Sequence, residues 1–425
     1  MTALPLSMGF QERVKAGGAS QAKETITIAP NNGVLQNCGT GMISFEINGN
    51  QLGRYADFSS LYIACDIKST HAEEIRFSHL GTMGLVSRIV VSTLSNTQIA
   101  DISYKNQLDA ILLAKSGDKN WLNTNGSIMF GCGSSAIAGI SLLANVSKRL
   151  LIPISLFGLD QMMFPLFATE TLRFQVYLEA AKTAFVLADL EDDDILNSEI
   201  SLTNMLLHYD VVQLKQDEDA ALIEKFDGKL VINVPCWQCI DTEIPTTATS
   251  ASIPLNFAKS RCRRLLISQV NATFIANDTT CSFAMDQALT TDFSLKLNGK
   301  EVKTQSYPVS SGAPEVFAES IKTSGGKILD IHPASATYST YTVEEDALGT
   351  TDALSGRFYV EFDLQNGCEN AGESLTNGLN IVNGNLALAL KRSAGTTAAR
   401  RIFCFVEYWQ DVILDVKLGV WRVYN

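Results

Sequence analysis

The sequence predicts an all-β fold built twice. Three observations predict it: strand-like segments crowd both ends of the chain, helices are few and short, and one strand–turn–strand–helix module occurs twice in the same order. The first copy opens at Ser87. Ile89, Val90 and Val91 form a β-branched run, Ser95-Asn96 makes a turn, and Gln98 to Tyr104 is the return strand. From Tyr104 the period changes. Leu108, Ile111, Leu112 and Lys115 follow the i, i+3, i+4, i+7 spacing of one helix face, and Gly117 stands where that helix stops. In the second copy Phe293 to Leu297 is a strand, Asn298-Gly299 a hairpin turn and Lys300 to Ser306 the return strand. Pro314 then occupies a first helical position, Phe317 and Ile321 share a face, and Gly325 ends the helix.

The echo extends along the chain. Lys23 to Pro30 pairs with Lys229 to Cys236, the strand from Ser59 with that from Arg261, and the strand from Thr171 with that from Asn385. Tyr209 to Val212 pairs with Tyr408 to Ile413. Together with the two hairpins and the two helices these are six pairings, all in order and spaced by 199 to 214 residues. A repeat of that length is a duplicated domain rather than a short solenoid unit. At 425 residues the chain also exceeds the size at which one core stops growing. The expected division is an N-terminal arm over 1–22, a first unit over 23–214, a helical linker over 215–228 and a second unit over 229–425.

In chain order, the first half offers strands at Thr25 to Ile28, Met42 to Ile47, Leu61 to Ile67, Leu150 to Ile154, Thr171 to Leu178 and Ile200 to Leu214. The second adds Leu230 to Val234, Leu265 to Phe274, Phe358 to Leu364, Leu386 to Lys391 and Ile402 to Tyr408, with two more around Gly419. In Thr171 to Leu178 the even positions are apolar and the odd ones mostly polar, as a half-buried strand requires. Helices are expected only at Tyr104 to Lys115, Asp217 to Phe226 and Pro314 to Lys322. This distribution fits antiparallel sandwiches or jelly rolls. Three long connections stand out: the Gly/Ser/Asn-rich stretch Asn120 to Asn145, Thr183 to Glu199 with its acidic run Glu191 to Asp194, and the Thr/Ala-rich Ser335 to Ser355. Connections of that length serve as functional or docking surfaces.

Composition narrows the function. A net charge of −12 argues against sequence-specific nucleic-acid binding, which needs a basic face. Nine scattered cysteines form no disulfide framework and read as reduced thiols. The opening residues carry no charged segment followed by a long apolar core, and the longest apolar stretches, such as Ala136 to Val146, are too short to cross a bilayer.

No catalytic, cofactor or metal site is expected. Gly131-Cys132-Gly133-Ser134-Ser135-Ala136 has the glycine spacing of a dinucleotide loop, but no acid lies between Asp118 and Asp160 to hold a ribose. Cys236 and Cys239 form a lone C-x-x-C with no second ligand pair, and on a strand they point to opposite faces. His71, His79, His208 and His332 show no metal spacing and no nucleophile motif. Glu191 to Asp194 lacks the alternation and the glycine of a calcium loop. The sequons at Asn271 and Asn277 matter only on a secretory route. Phe403, Phe405, Tyr408, Trp409, Trp421 and Tyr424 could stack bases or sugars, but their strand spacing favours core packing.

The module ISYKNQLDAILL, the segment LLIPISLFGLDQMMFPLFATETLRFQVYLE, the strand ISLTNMLLHYDVVQL and the ending FCFVEYWQDVILDVKLGVWRVYN resemble double jelly-roll major capsid proteins of polinton-like viruses, virophages and related tailless icosahedral DNA viruses. The resemblance covers Lys23 to Asn425; Tyr104-Lys105-Asn106 departs from the commoner Tyr-Asn pair. It implies two tandem eight-stranded jelly-roll barrels and a structural role without enzymatic activity. It further implies a homotrimer with hexagonal outline that meets neighbouring capsomers and minor capsid or penton proteins in the virion. The N-terminal arm is the candidate for touching an internal membrane. The alternatives from other classes are a jelly-roll amidase or glycosidase, which needs converging carboxylates, and a carbohydrate-binding adhesin, which needs exposed aromatics.

Overall fold

The computed structural model describes residues 20–215 and 229–424, apart from 34, 40, 50, 52, 134–138, 156–158, 160–162, 167–169, 188–193, 276, 278–279, 303–306, 309–313, 324–335, 337–340, 342–355, 366–377 and 416–419. The expected helix Asp217 to Phe226, most of the arm 1–22 and nearly all of Ser335 to Ser355 lie outside the described residues, as does His332.

Among the described residues, eight strands carry the two larger sheets of the first half: β1 (Ser20–Ile28), β2 (Met42–Ile47), β3 (Arg54–Ser69), β4 (Val86–Thr93), β5 (Gln98–Ser103), β6 (Ser147–Pro153), β7 (Leu172–Leu178) and β8 (Ile200–Leu214). Eight more build the second: β9 (Lys229–Ile244), β10 (Ser250–Leu255), β11 (Cys262–Asn271), β12 (Thr290–Leu297), β13 (Lys300–Glu301), β14 (Tyr359–Asp363), β15 (Leu386–Arg392) and β16 (Arg400–Asp415). The last strand, β17 (Val420–Tyr424), folds back on β16. In the first half the sheet orders are β1-β8-β3-β6 and β2-β7-β4-β5, with the short strand Met163–Pro165 continuing β6 along β3. In the second half they are β9-β16-β11-β14 and β10-β15-β12-β13. Adding eight to each first-half strand number gives the second set, and every one of these pairings is antiparallel.

Alternation places the cores between the paired sheets. β7 buries Leu172, Phe174, Val176 and Leu178 and leaves the residues between them half-exposed. Phe174 meets Phe58, whose ring also lies 5.2 Å from that of Phe164. In the second half Phe293 stacks on Phe358 at 6.3 Å. Each such side chain contributes about 1.5–3 kcal/mol by leaving water. The β12–β13 turn uses Asn298 and Gly299 at φ of 52° and 80°, the left-handed pair that a two-residue hairpin needs.

The two modules differ in their helices. α1 (Lys105–Ser116) follows β5 directly, packs on β4 of its own half and reaches the second half through the side chains of Gln107 and Lys115, whereas α2 (Pro314–Thr323) packs on β14 within its own half. Of the expected return strand Lys300 to Ser306, Lys300–Glu301 form β13, residues 303–306 lie outside the described residues, and Tyr307–Pro308 also pairs with β12. Asn120 to Asn145, expected as an irregular insertion, contains helical turns at Lys119–Trp121, Leu122–Gly126 and Ser127–Phe130. There Gly126 lets the backbone pass so close to Trp121 that a Cβ would sit 2.9 Å from the ring. Several strands run longer than their apolar runs implied: β3 begins at Arg54 and β16 ends at Asp415.

Candidate functional site at the seam between the halves

α1 is the element on which the halves meet. Leu108, Ala110, Ile111 and Ala114 are buried, as an amphipathic helix requires, but so are Lys105, Asn106, Gln107 and Asp109. Lys105 Nζ and Asp109 pair at 2.5 Å one turn apart, and burial pushes the Asp109 carboxyl above the usual carboxylate range against the pull of Lys105. Gln107 donates to the Ser282 carbonyl in the second half at 3.0 Å.

At the far end of α1, Lys115 Nζ lies 2.5 Å from Glu361 of β14, whose side chain is 0% exposed. Glu361 also accepts from Arg264 of β11 at 3.3 Å, and Arg264 Nε reaches Glu407 of β16 at 2.5 Å. Arg263 pairs with the same Glu407 at 3.4 Å. Burial lowers the Lys115 pKa while Glu361 opposes the shift. The guanidinium of Arg264 lies 5.2 Å from the Trp237 ring centre and that of Arg263 4.8 Å from Trp409. A chain of alternating charges therefore runs from the first half into the second. Buried charges hold only when mutually paired, so this chain fixes one relative position of the halves.

Two further contacts cross the seam. Tyr104 starts α1 from a left-handed backbone position, φ 53°, which aims its ring at Phe403, 5.3 Å away. Its hydroxyl accepts from Arg401 at 3.0 Å, and Arg401 pairs with Asp241 at 2.6 Å. Elsewhere His79 and Cys281 approach to 3.6 Å; burial, then Arg357, hold His79 well below its usual pKa. Beside β5 a groove of about 520 Å³ opens between the halves, lined by Gln98, Asp101 and Ser103 on one side and Trp237, Gln238 and Tyr408 on the other.

The weighed motifs stay apart from this seam or serve it structurally. Gly131 to Gly133 follow a helical turn, not a strand, and Ser134 to Ala136 lie outside the described residues. Cys236 and Cys239 sit on β9, where burial pushes the Cys236 thiol up to about 12, so it is protonated and inert at neutral pH. His71 and His79 are buried, and His208 is half-buried on β8. Asp194 is exposed and pairs with Lys182; Glu191 to Asp193 lie outside the described residues. Asn271 is buried and caps the turn Ala272–Phe274. Phe403, Phe405 and Tyr408 are buried, as the packing reading expected, and the side chains of Trp421 and Tyr424 lie outside the described ones. Among the described residues no group of three or more His, Cys, Asp and Glu could hold a metal ion. Sequence reasoning missed the ionic chain, although Lys115 on an otherwise apolar helix face and the Arg263-Arg264 pair inside a strand were its signals.

No family model and no curated protein matches the sequence. Solved structures do. The PBCV-1 virus capsid chain is 13% identical, with 95% of this chain and 96% of that one covered at a TM-score of 0.64. The Faustovirus major capsid protein is 9% identical, with coverage of 93% and 91% and a TM-score of 0.56. The mavirus major capsid protein is 14% identical, with coverage of 100% and 95% and a TM-score of 0.52. The fold is the double jelly roll. In that double jelly roll the seam around α1 is the joint between the two barrels, and the ionic chain crosses it.

Proposed function

We propose that this chain is the major capsid protein of an icosahedral virus, a structural subunit without catalytic activity. The carrying observation is the double jelly roll itself, two barrels of one strand order locked at a charged seam. Barrels leave few open sheet edges, so their sides can tile without templating uncontrolled strand addition. The first barrel is assigned to 23–214, the linker to 215–228 and the second barrel to 229–425. Three chains then present six barrels around a closed axis, a near-hexagonal capsomer that meets neighbouring capsomers and minor or penton proteins in the virion. The stretch Asn120 to Asn145 is assigned to contacts between subunits. Ile128 there is 75% exposed and Leu143 51%, more apolar surface than an isolated loop needs.

The test is electron microscopy of the expressed protein. Six-lobed particles that form hexagonal arrays are the expected result. Monomers that hydrolyse amides or glycosides would overturn the reading. Ile128→Asp should reduce array formation while leaving the melting temperature unchanged; unaltered arrays would remove the contact role of that stretch.

A further inference from the structure

The groove between the halves holds polar groups that the fold itself does not use. Its volume of about 520 Å³ lies in the range of small-molecule sites. Tyr408 and Gln410 both line it, two residues apart and so on one face of β16. Tyr408 is 7% exposed and Gln410 5%. Among the described residues, neither the Tyr408 hydroxyl nor the Gln410 amide has a hydrogen-bond partner. Burial, then Cys236 and Asp101, raises the Tyr408 pKa, so its phenol stays an O–H donor. Gln238 Oε1 on β9 is also buried without a partner among the described residues. Buried polar groups are normally paired, so three such groups at one groove call for a ligand.

The groove also has a cation without a counter-ion. Lys259 is half-buried there, its ammonium 4.3 Å from the centre of the Tyr408 ring. Among the described residues no carboxylate pairs with it. Burial lowers the Lys259 pKa, and the groups that oppose the shift are the thiols of Cys236 and Cys262. Burial pushes both thiols up to about 12, so they carry no charge at neutral pH. Asp101, the acidic residue at the groove, is already held by Arg88, whose Nε and Nη2 donate to its two oxygens at 2.7 and 2.6 Å. A half-buried ammonium in this state is relieved by an anion from outside the chain.

We propose that this groove binds a sugar acid, a compound with one carboxylate and several hydroxyls. The carboxylate meets Lys259 and the Tyr408 hydroxyl. The sugar hydroxyls meet the amides of Gln98, Gln238 and Gln410 and the hydroxyl of Ser103, all of which line the groove. Charge selects the acid: one unpaired ammonium matches a monoanion, whereas a dianion such as phosphate leaves a charge unmatched near Asp101. Hydrogen bonding selects the sugar. Amides donate and accept, as sugar hydroxyls do, and the Gln238 oxygen needs a donor that a simple carboxylate lacks. The site lies within one chain and adds a ligand to the subunit's structural role.

The experiment is ligand-observed saturation-transfer NMR with calorimetry on the full chain. Glucuronate is compared with glucose, which lacks the carboxylate, with acetate, which lacks the hydroxyls, and with inorganic phosphate. The expected result is that glucuronate binds about tenfold or more tighter than each of the others. Two variants locate the site. Lys259→Met keeps an apolar stem beside the Tyr408 ring, and Gln98→Glu sets a like charge at an exposed position of the groove. Each should weaken glucuronate binding about tenfold with an unchanged melting temperature. No binding of glucuronate, equal binding of glucose or acetate, tighter binding of phosphate, or folded variants that bind as wild type does would each overturn the proposal. A chain that assembles with no affinity for glucuronate overturns this site alone and leaves the capsid reading standing.

Discussion

The two equivalent strands β8 and β16 show how one fold carries two different surfaces. In β8 the inward residues Met205, Leu207, Tyr209 and Val211 are buried, and Asn204, Leu206, His208 and Asp210 between them are exposed or half-exposed. In β16 both rows are buried, from Ile402 through Tyr408. The inward rows match because each closes a barrel. The outward rows differ because only the second is covered by the rest of its own chain. A strand buried on both faces reads as a continuous apolar run, and a strand with one face open reads as an alternation. Ile402-Phe403-Cys404-Phe405-Val406 is the first pattern and Met205 to Val211 is closer to the second.

That comparison can be broken most forcefully at its centre. Phe405→Ala should destabilise the fold by about 3–5 kcal/mol in chemical denaturation, against under about 1 kcal/mol for Leu206→Ala at the equivalent position. Equal losses would mean that the two outer faces are equally covered within a chain. Lys115→Met removes one partner from Glu361, which is 0% exposed, and should cost about 3 kcal/mol. In Lys115→Met with Glu361→Gln, no carboxylate is left unneutralised, and part of that loss should return. Arg149→Ala, at an exposed pair of the open face, should change stability by less than about 1 kcal/mol, and less still in high salt.

The smallest effect concerns protons. The Asn204 side chain, with help from Arg149, holds the Asp66 carboxyl below its usual pKa. A depressed carboxylate contributes stability above its unfolded pKa, and that contribution is lost as pH falls through the folded value. Asn204→Ala should therefore raise the Asp66 pKa toward the ordinary carboxylate value in an NMR titration. It should also remove part of the acid-side slope of stability. No movement of that resonance would contradict the assigned hydrogen bond.

Much of the fold was legible because jelly-roll strands announce themselves by alternation and turn chemistry. Leu172 to Leu178, Ile200 to Leu214 and the Asn298-Gly299 turn fell where their patterns placed them. Strand ends were not legible: Arg54 to Ser60 is polar at several positions yet continues β3, because the neighbouring β8 supplies its ladder. The helical turns within Asn120 to Phe130 were hidden by Asn, Gly and Ser, whose local preference is for turns. The seam was the least legible part. It depends on which face of which barrel meets α1, and no periodicity within one segment encodes that meeting.

The most direct test of the central claim, that one covered face and one open face make a subunit built to join copies of itself, is the molar mass in sedimentation equilibrium across concentrations. A closed particle of three chains, each 46.2 kDa, is predicted. A species of one chain at every concentration would contradict it.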